Sequence, residues 1–216
     1  MATATMELQP HAAEELQAEE NPPPAAVNAM ERWNQPRSNV YRTLATFWTF
    51  LVMGANDAVY GALIPYLESY YSLNYTVVSL IFLSPLVGYV MAALLNYRIH
   101  QYMGQRGVAL IAPCSHLISY VVNCVHPPYP VLVISFIFAG FGNGLGDSAW
   151  NAWIGNMANA NELLGLLHGV YGVGAVLSPL AATSIITKAK LPWYYFYYIM
   201  VYGPGPDEKV KDGERC

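Results

Sequence analysis

Charge is the scarce ingredient of this sequence. Only 11% of its 216 residues are Asp, Glu, Lys or Arg, while 55% are hydrophobic; soluble proteins carry roughly 25% charged residues. The shortage is also local. From Thr43 to Thr187 the charged residues are Asp57, Glu68, Arg98, Arg106, Asp147 and Glu162, and all other charge sits in the flanking ends. A water-facing surface of that length cannot be made from six charges. Cysteine is nearly as rare: Cys114, Cys124 and Cys216 are odd in number and fall at no metal-ligand spacing, so neither a disulfide nor a metal site is expected. No lysine follows the glycine-rich stretch GFGNGLG at residues 140–146, and its glycines recur by twos, which excludes a nucleotide-binding loop. A calcium loop would need several more oxygen ligands. No nucleophile-and-base pair stands out either, so neither an enzyme, nor a cofactor, nor a nucleic-acid partner is expected.

What the sequence does have is long apolar runs. Residues 77–97 and 107–125 hold no charge, apart from their flanks, and about 20 such residues in a helix cross about 30 Å of hydrocarbon. Three more runs, roughly 44–67, 131–155 and 163–187, complete five expected spans, and the first and the second of these each carry one acid inside the run, Asp57 and Asp147. A sixth run, WYYFYYIMVY at 193–202, is too short to span. The organisation expected is a disordered cytoplasmic tail over 1–42, a transmembrane bundle over 43–202 and a polar tail over 203–216. The first tail is rich in Ala, Glu and Pro, with no secretory or mitochondrial signal.

Basic residues orient the spans. Arg32, Arg37 and Arg42 precede the first, and Arg98 and Arg106 flank the turn between the second and third, so these regions and the amino terminus are expected in the cytoplasm. Lys188 and Lys190 fall outside, against the trend. Nothing separates a plasma from a vacuolar membrane.

An acid in hydrocarbon costs about 2.5–3.5 kcal/mol on insertion scales, so Asp57 and Asp147 should face a protein interior or a watery cavity. Gly140, Gly144, Asp147 and Asn151 share one helix face, as do Gly54, Asp57, Gly61 and Pro65. GANDAVYGA aligns on GLGDSAWNA, matching Asp57 to Asp147 and Tyr60 to Trp150, and LSPL recurs at 83–86 and 177–180. Offsets of this size fit an inverted repeat of three plus three helices. Asn56, Asn143, Asn151 and His168 are the polar neighbours assigned with the acids to a solute or proton path. His168 suits proton sensing, or equally a neutral bond to a neighbouring helix. His116, Tyr120 and Asn123 form a polar stripe that favours packing over pore lining. Tyr60, Trp150 and Trp153 could stack on a ligand, although membrane aromatics more often pack. Gly165, Gly169 and Gly172 mark an expected helix–helix contact.

The stretches GANDAVYGALIPYLESYY, NYRIHQYMGQRGV, GFGNGLGDSAWNAWIGNMANANE and LLHGVYGVGAVLSP resemble the major facilitator superfamily, in particular fungal members similar to fucose and glucose/galactose permeases. The resemblance runs from about residue 41 to 202. Of the family's cytoplasmic loop pattern, Gly104 and Arg106 remain, while Gln101 replaces its Asp. The resemblance implies an all-α membrane bundle, the amino-terminal six-helix half of a transporter with its sixth helix cut short, lacking a carboxy-terminal half. It implies alternating access, and acids in the first and fourth helices that couple protons to a small polar solute such as a sugar. The alternative is a truncated, non-transporting membrane protein whose acids are structural.

Overall fold

The computed structural model describes residues 30–202, so the bulk of the expected amino-terminal tail and the tail at 203–216 lie outside the described residues. It is helical throughout: α1 (Arg37–Tyr71), α2 (Tyr75–Val78), α3 (Leu80–Cys124), α4 (Tyr129–Gly155), α5 (Ala160–Thr187) and α6 (Tyr195–Tyr202). The helix boundaries follow local chemistry. Ser72 closes α1 in the left-handed conformation, with its N–H donating to the Glu68 carbonyl. Asn74, which also begins a glycosylation sequon, accepts from the Val77 N–H and caps α2. Pro128 and Pro130 open α4, where a missing N–H costs nothing.

Among the described residues four helical stretches are long and apolar enough to cross a membrane, one of them Tyr75–Cys124. That stretch is two spans, not one. At 45 residues α3 would be about 68 Å long if straight, more than twice the hydrocarbon thickness. It breaks at Gly104, whose φ of 62° and ψ of −164° no other residue type adopts without strain. Packing against α4 shows the reversal. In the arm before the break, Pro85 meets Gly140 and Ala92 meets Gly144, so the two helices run the same way. In the arm after it, Ala112 and His116 meet Gly142 whereas Asn123 bonds to Ser135, so the direction is opposite. The result is five long rods and a short α6.

Some boundaries differ. α1 starts at Arg37, inside the segment expected to be tail, because polar flanks continue the helix beyond the hydrocarbon. Residues before it are also anchored: the Ala158 N–H donates to the Glu31 carbonyl, and Asn39 donates to the carbonyls of Arg32 and Gln35.

The two dominant interfaces are α3 with α4 and α1 with α5. Numbered as spans, the second pairs with the fourth and the fifth with the first. Exchanging the two halves of a three-plus-three repeat converts one pair into the other. α6 joins through Tyr197, whose ring is tilted against those of Tyr120 of the second arm and Phe136 of α4. Close approach depends on glycine: a Cβ on Gly54 would strike the Tyr171 carbonyl and one on Gly174 the Leu51 carbonyl, while Gly88 and Gly140 do the same between α3 and α4. The expected contact through Gly165, Gly169 and Gly172 is corrected, because a Cβ at any of the three meets nothing within 4 Å. Small residues on a membrane helix also occur on faces that make no contact within the chain.

Three apolar clusters fill the bundle. The largest gathers Leu63, Leu67, Ile81, Leu132, Phe136, Trp193 and Tyr197 at the end bearing the α1–α2 and α5–α6 loops. Two smaller ones, around Phe50, Met53, Ile154 and Leu167 and around Val108, Ala112 and Leu145, occupy the opposite end. Many large apolar side chains face outward, among them Trp48, Leu94, Val176 and Leu180, as a lipid-embedded bundle requires.

Candidate functional site

Between these clusters lies a polar layer. It forms where four rods each place one polar side chain near their middles: Asp57 on α1, His116 on the second arm of α3, Asn143 on α4 and Tyr171 on α5. Asn143 Nδ2 donates to Asp57 Oδ1 at 2.6 Å and Asn56 Nδ2 to the same oxygen at 3.1 Å. The Tyr171 hydroxyl donates to Asp57 Oδ2 at 2.9 Å. On the far side of Asn143, His116 Nε2 lies 2.6 Å from its Oδ1, and His116 Nδ1 lies 2.9 Å from the Ala112 carbonyl. Asn56 and Asn143 are fully buried and His116 nearly so, while Asp57 is only half-buried. Its carboxylate opens on a shallow, open-sided cavity of about 260 Å³ lined by Tyr60, Phe82, Pro85, Leu86 and Tyr89. A carboxylate with three donors and access to a cavity can exchange a proton or bind a solute hydroxyl.

Asp147 is placed differently. It sits one turn, about 6 Å, further along α4 than Asn143, half-buried, and its side chain accepts from Asn151 Nδ2 at 2.8 Å. Asn151 thus supplies the polar company its spacing suggests, but no hydrogen bond joins this pair to Asp57.

The remaining candidates scatter. Tyr60 is buried against Phe136 and Phe82, with its hydroxyl accepting from Asn56 at 2.7 Å. It packs, although one edge borders the cavity. Trp150 stands edge-on to Trp153, its buried Nε1 unpartnered, and both line a second cavity of about 490 Å³ with Arg42, Thr46, Gly104 and Arg106. That cavity places the start of α1 and the Gly104 turn at one end of the bundle. His168 is exposed on α5, edge-on to Phe50, and makes no hydrogen bond into the polar layer.

Two residues of the layer escape sequence reasoning. His116 belongs to a stripe whose spacing suits packing, and packing does describe Tyr120, set among aromatics, and Asn123, bonded to Ser135. His116 turns instead to Asn143, 27 positions away. No local pattern signals such a contact. Tyr171 is one of 17 tyrosines and carries no distinguishing neighbour. Among the described residues no group of three or more His, Cys, Asp or Glu could hold a metal.

Comparison with known proteins gives the arrangement a context. Residues 46–203 match the Major Facilitator Superfamily. The chain is similar to Bypass of stop codon protein 6 of Saccharomyces cerevisiae, with 31% identity over 163 residues, which are 74% of this chain and 32% of that relative. It therefore spans about a third of the relative's length. No solved structure matches it.

Proposed function

Because the chain belongs to the Major Facilitator Superfamily, we propose that this multi-pass membrane protein provides the proton- and solute-binding face of a secondary active transporter. The solute is small and polar, of the sugar class, and moves by alternating access in symport with protons. One observation carries the reading: Asp57 stands mid-helix in an apolar span, open to a cavity and held by donors from three positions on different parts of the bundle. An acid used only as an anchor gains nothing from such an opening, whereas an exchanging acid requires it.

Roles follow from chemistry. Asp57 binds the coupling proton. Asn143 and Asn56 set its orientation by donating to Oδ1, and the side of the carboxylate open to the cavity is left for a solute hydroxyl. Asp147, with Asn151, forms a second polar station one turn nearer the end carrying Arg42 and Arg106. Tyr60 presents a ring edge to the first cavity and Trp150 lines the second; His168 stays outside the path. The amino terminus and the Gly104 turn face the cytoplasm, where Arg32, Arg37, Arg42, Arg98 and Arg106 cluster. A carboxy-terminal set of spans completes the path.

The test is uptake of labelled neutral monosaccharides into vesicles containing the protein, driven by an imposed proton gradient. Accumulation that collapses with a protonophore and in Asp57→Asn supports the proposal. Uptake indifferent to both, or none of any sugar, refutes it.

A further inference from the structure

Every hydrogen bond needs one donor, and that requirement fixes how many protons the row Ala112, His116, Asn143 and Asp57 holds. The Ala112 carbonyl can only accept, so Nδ1 of His116 carries hydrogen. The next two contacts, both 2.6 Å, run through the single amide of Asn143, which has one accepting end and one donating end. With its oxygen toward His116, Nε2 must also carry hydrogen, making an imidazolium, and the amide NH₂ donates to an ionised Asp57. Turned by 180°, an equivalent outline for an amide, the NH₂ donates to the bare Nε2 of a neutral ring and the oxygen accepts from a protonated Asp57. Both arrangements contain the same number of protons. Remove one, and either amide orientation sets two acceptors against each other, at His116 or at Asp57.

We propose that His116 and Asp57 form one proton-binding unit, sharing a single exchangeable proton between two populated arrangements bridged by Asn143, and that its loss breaks the hydrogen bond from α4 to either α1 or the second arm of α3. This deepens the reading of Asp57 as the coupling acid and rests on it. The location makes the consequence mechanical: α1 and α4 approach each other closely at few points, so the Asp57–Asn143 bond crosses a seam between the α1/α5 pair and the α3/α4 pair. Among the described residues no Lys or Arg faces either group. Facing Asp57 are Asn56 and Tyr60 from α1, Tyr89 from the first arm of α3, His116 from its second arm, Asn143 and, one turn away, Asp147 from α4, and Tyr171 from α5. Facing His116 are Tyr120 from its own helix, Asn143 from α4, Asp57 from α1 and, behind Tyr120, Tyr197 from α6. The basic side chains of the spans, Arg98 and Arg106, flank the Gly104 turn at the end of the rods.

The unit is tested on the full chain in lipid vesicles, labelled with ¹⁵N-histidine and titrated between about pH 4 and 9. The ring resonances of His116 are assigned by their loss in His116→Gln, and the carboxyl stretch of Asp57 by its loss in Asp57→Asn. With both arrangements populated, loss of the shared proton changes both signals, so the unit predicts one shared midpoint for the two in the unmodified protein. In Asn143→Leu the midpoints separate by about one pH unit or more, because coupled groups titrate as a pair only while they interact. A His116 ring that stays neutral while Asp57 titrates alone overturns the proposal, as do separate midpoints already present before the amide is removed. If Asn143→Leu does not fold, the unmodified protein alone decides. Uptake measured on the same vesicles separates the two claims. A shared titration without proton-driven uptake sinks the transport reading but not the unit, and proton-driven uptake with a silent His116 sinks the unit only.

Discussion

Replacing Gly54 by alanine adds one methyl group at one of the two tightest points between α1 and α5. Its Cβ would fall on the carbonyl of Tyr171 and crowd the N–H of Ala175, both rigid backbone. To restore ordinary contact the two helices must part by about 1 Å. Tyr171 moves with α5, so its 2.9 Å bond to Asp57 would stretch past hydrogen-bonding range. Overpacking of this kind costs about 1–3 kcal/mol, and a lost bond inside a membrane bundle adds about 0.6 kcal/mol. The expected loss is therefore about 2–4 kcal/mol. Gly169→Ala is the matched control, since its new methyl meets no atom within 4 Å. There alanine's better helix propensity should leave stability unchanged or raise it by about 0.5–1 kcal/mol. Unfolding of each purified variant by sodium dodecyl sulfate, followed by helical circular dichroism, measures both. Equal midpoints for Gly54→Ala and Gly169→Ala would refute the assignment of Gly54 to the interface.

Three further outcomes follow from the fold. Gly104→Ala should destabilise the protein by about 1–3 kcal/mol in the same assay, although the site has room for a methyl, because only glycine accepts that backbone without strain; an unchanged midpoint would argue against the sharp reversal. In a background without the native cysteines, single cysteines at Gln101 and His126, both exposed, should react with an impermeant thiol reagent from opposite sides of the membrane. Labelling of both from one side would overturn the topology. Tyr171→Phe should cost about 0.6 kcal/mol, and this cost should vanish when Asp57 is already Ala if the pair interacts as placed; an identical cost in both backgrounds would deny the interaction.

The sequence conveys the coarse architecture well because hydrocarbon imposes a length, and Leu80 to Cys124 shows both the strength and the limit of that signal. Two uncharged runs separated by NYRIHQYMGQR already indicate two crossings. The helix nevertheless continues through most of the connection and reverses at Gly104 alone, which hydropathy cannot locate. Asp57 was legible for a related reason: an acid in an apolar run is expensive and needs a use. His116 was not, because its partner lies on another rod and its spacing to Tyr120 and Asn123 matches ordinary packing. The stripe of Gly165, Gly169 and Gly172 misleads in the opposite direction. Small residues permit close approach, but composition does not say which helix face has a neighbour, and here the contact falls on Gly174.

The central claim is that Asp57 binds the proton that drives transport. Its most direct test compares gradient-driven uptake with counterflow in Asp57→Asn, because counterflow needs binding and alternation but no net proton movement. Asparagine keeps the shape of a protonated carboxyl, and the claim predicts that accumulation is lost while counterflow persists. Uptake and counterflow that both survive, with pH dependence unchanged, would show Asp57 to be a structural anchor.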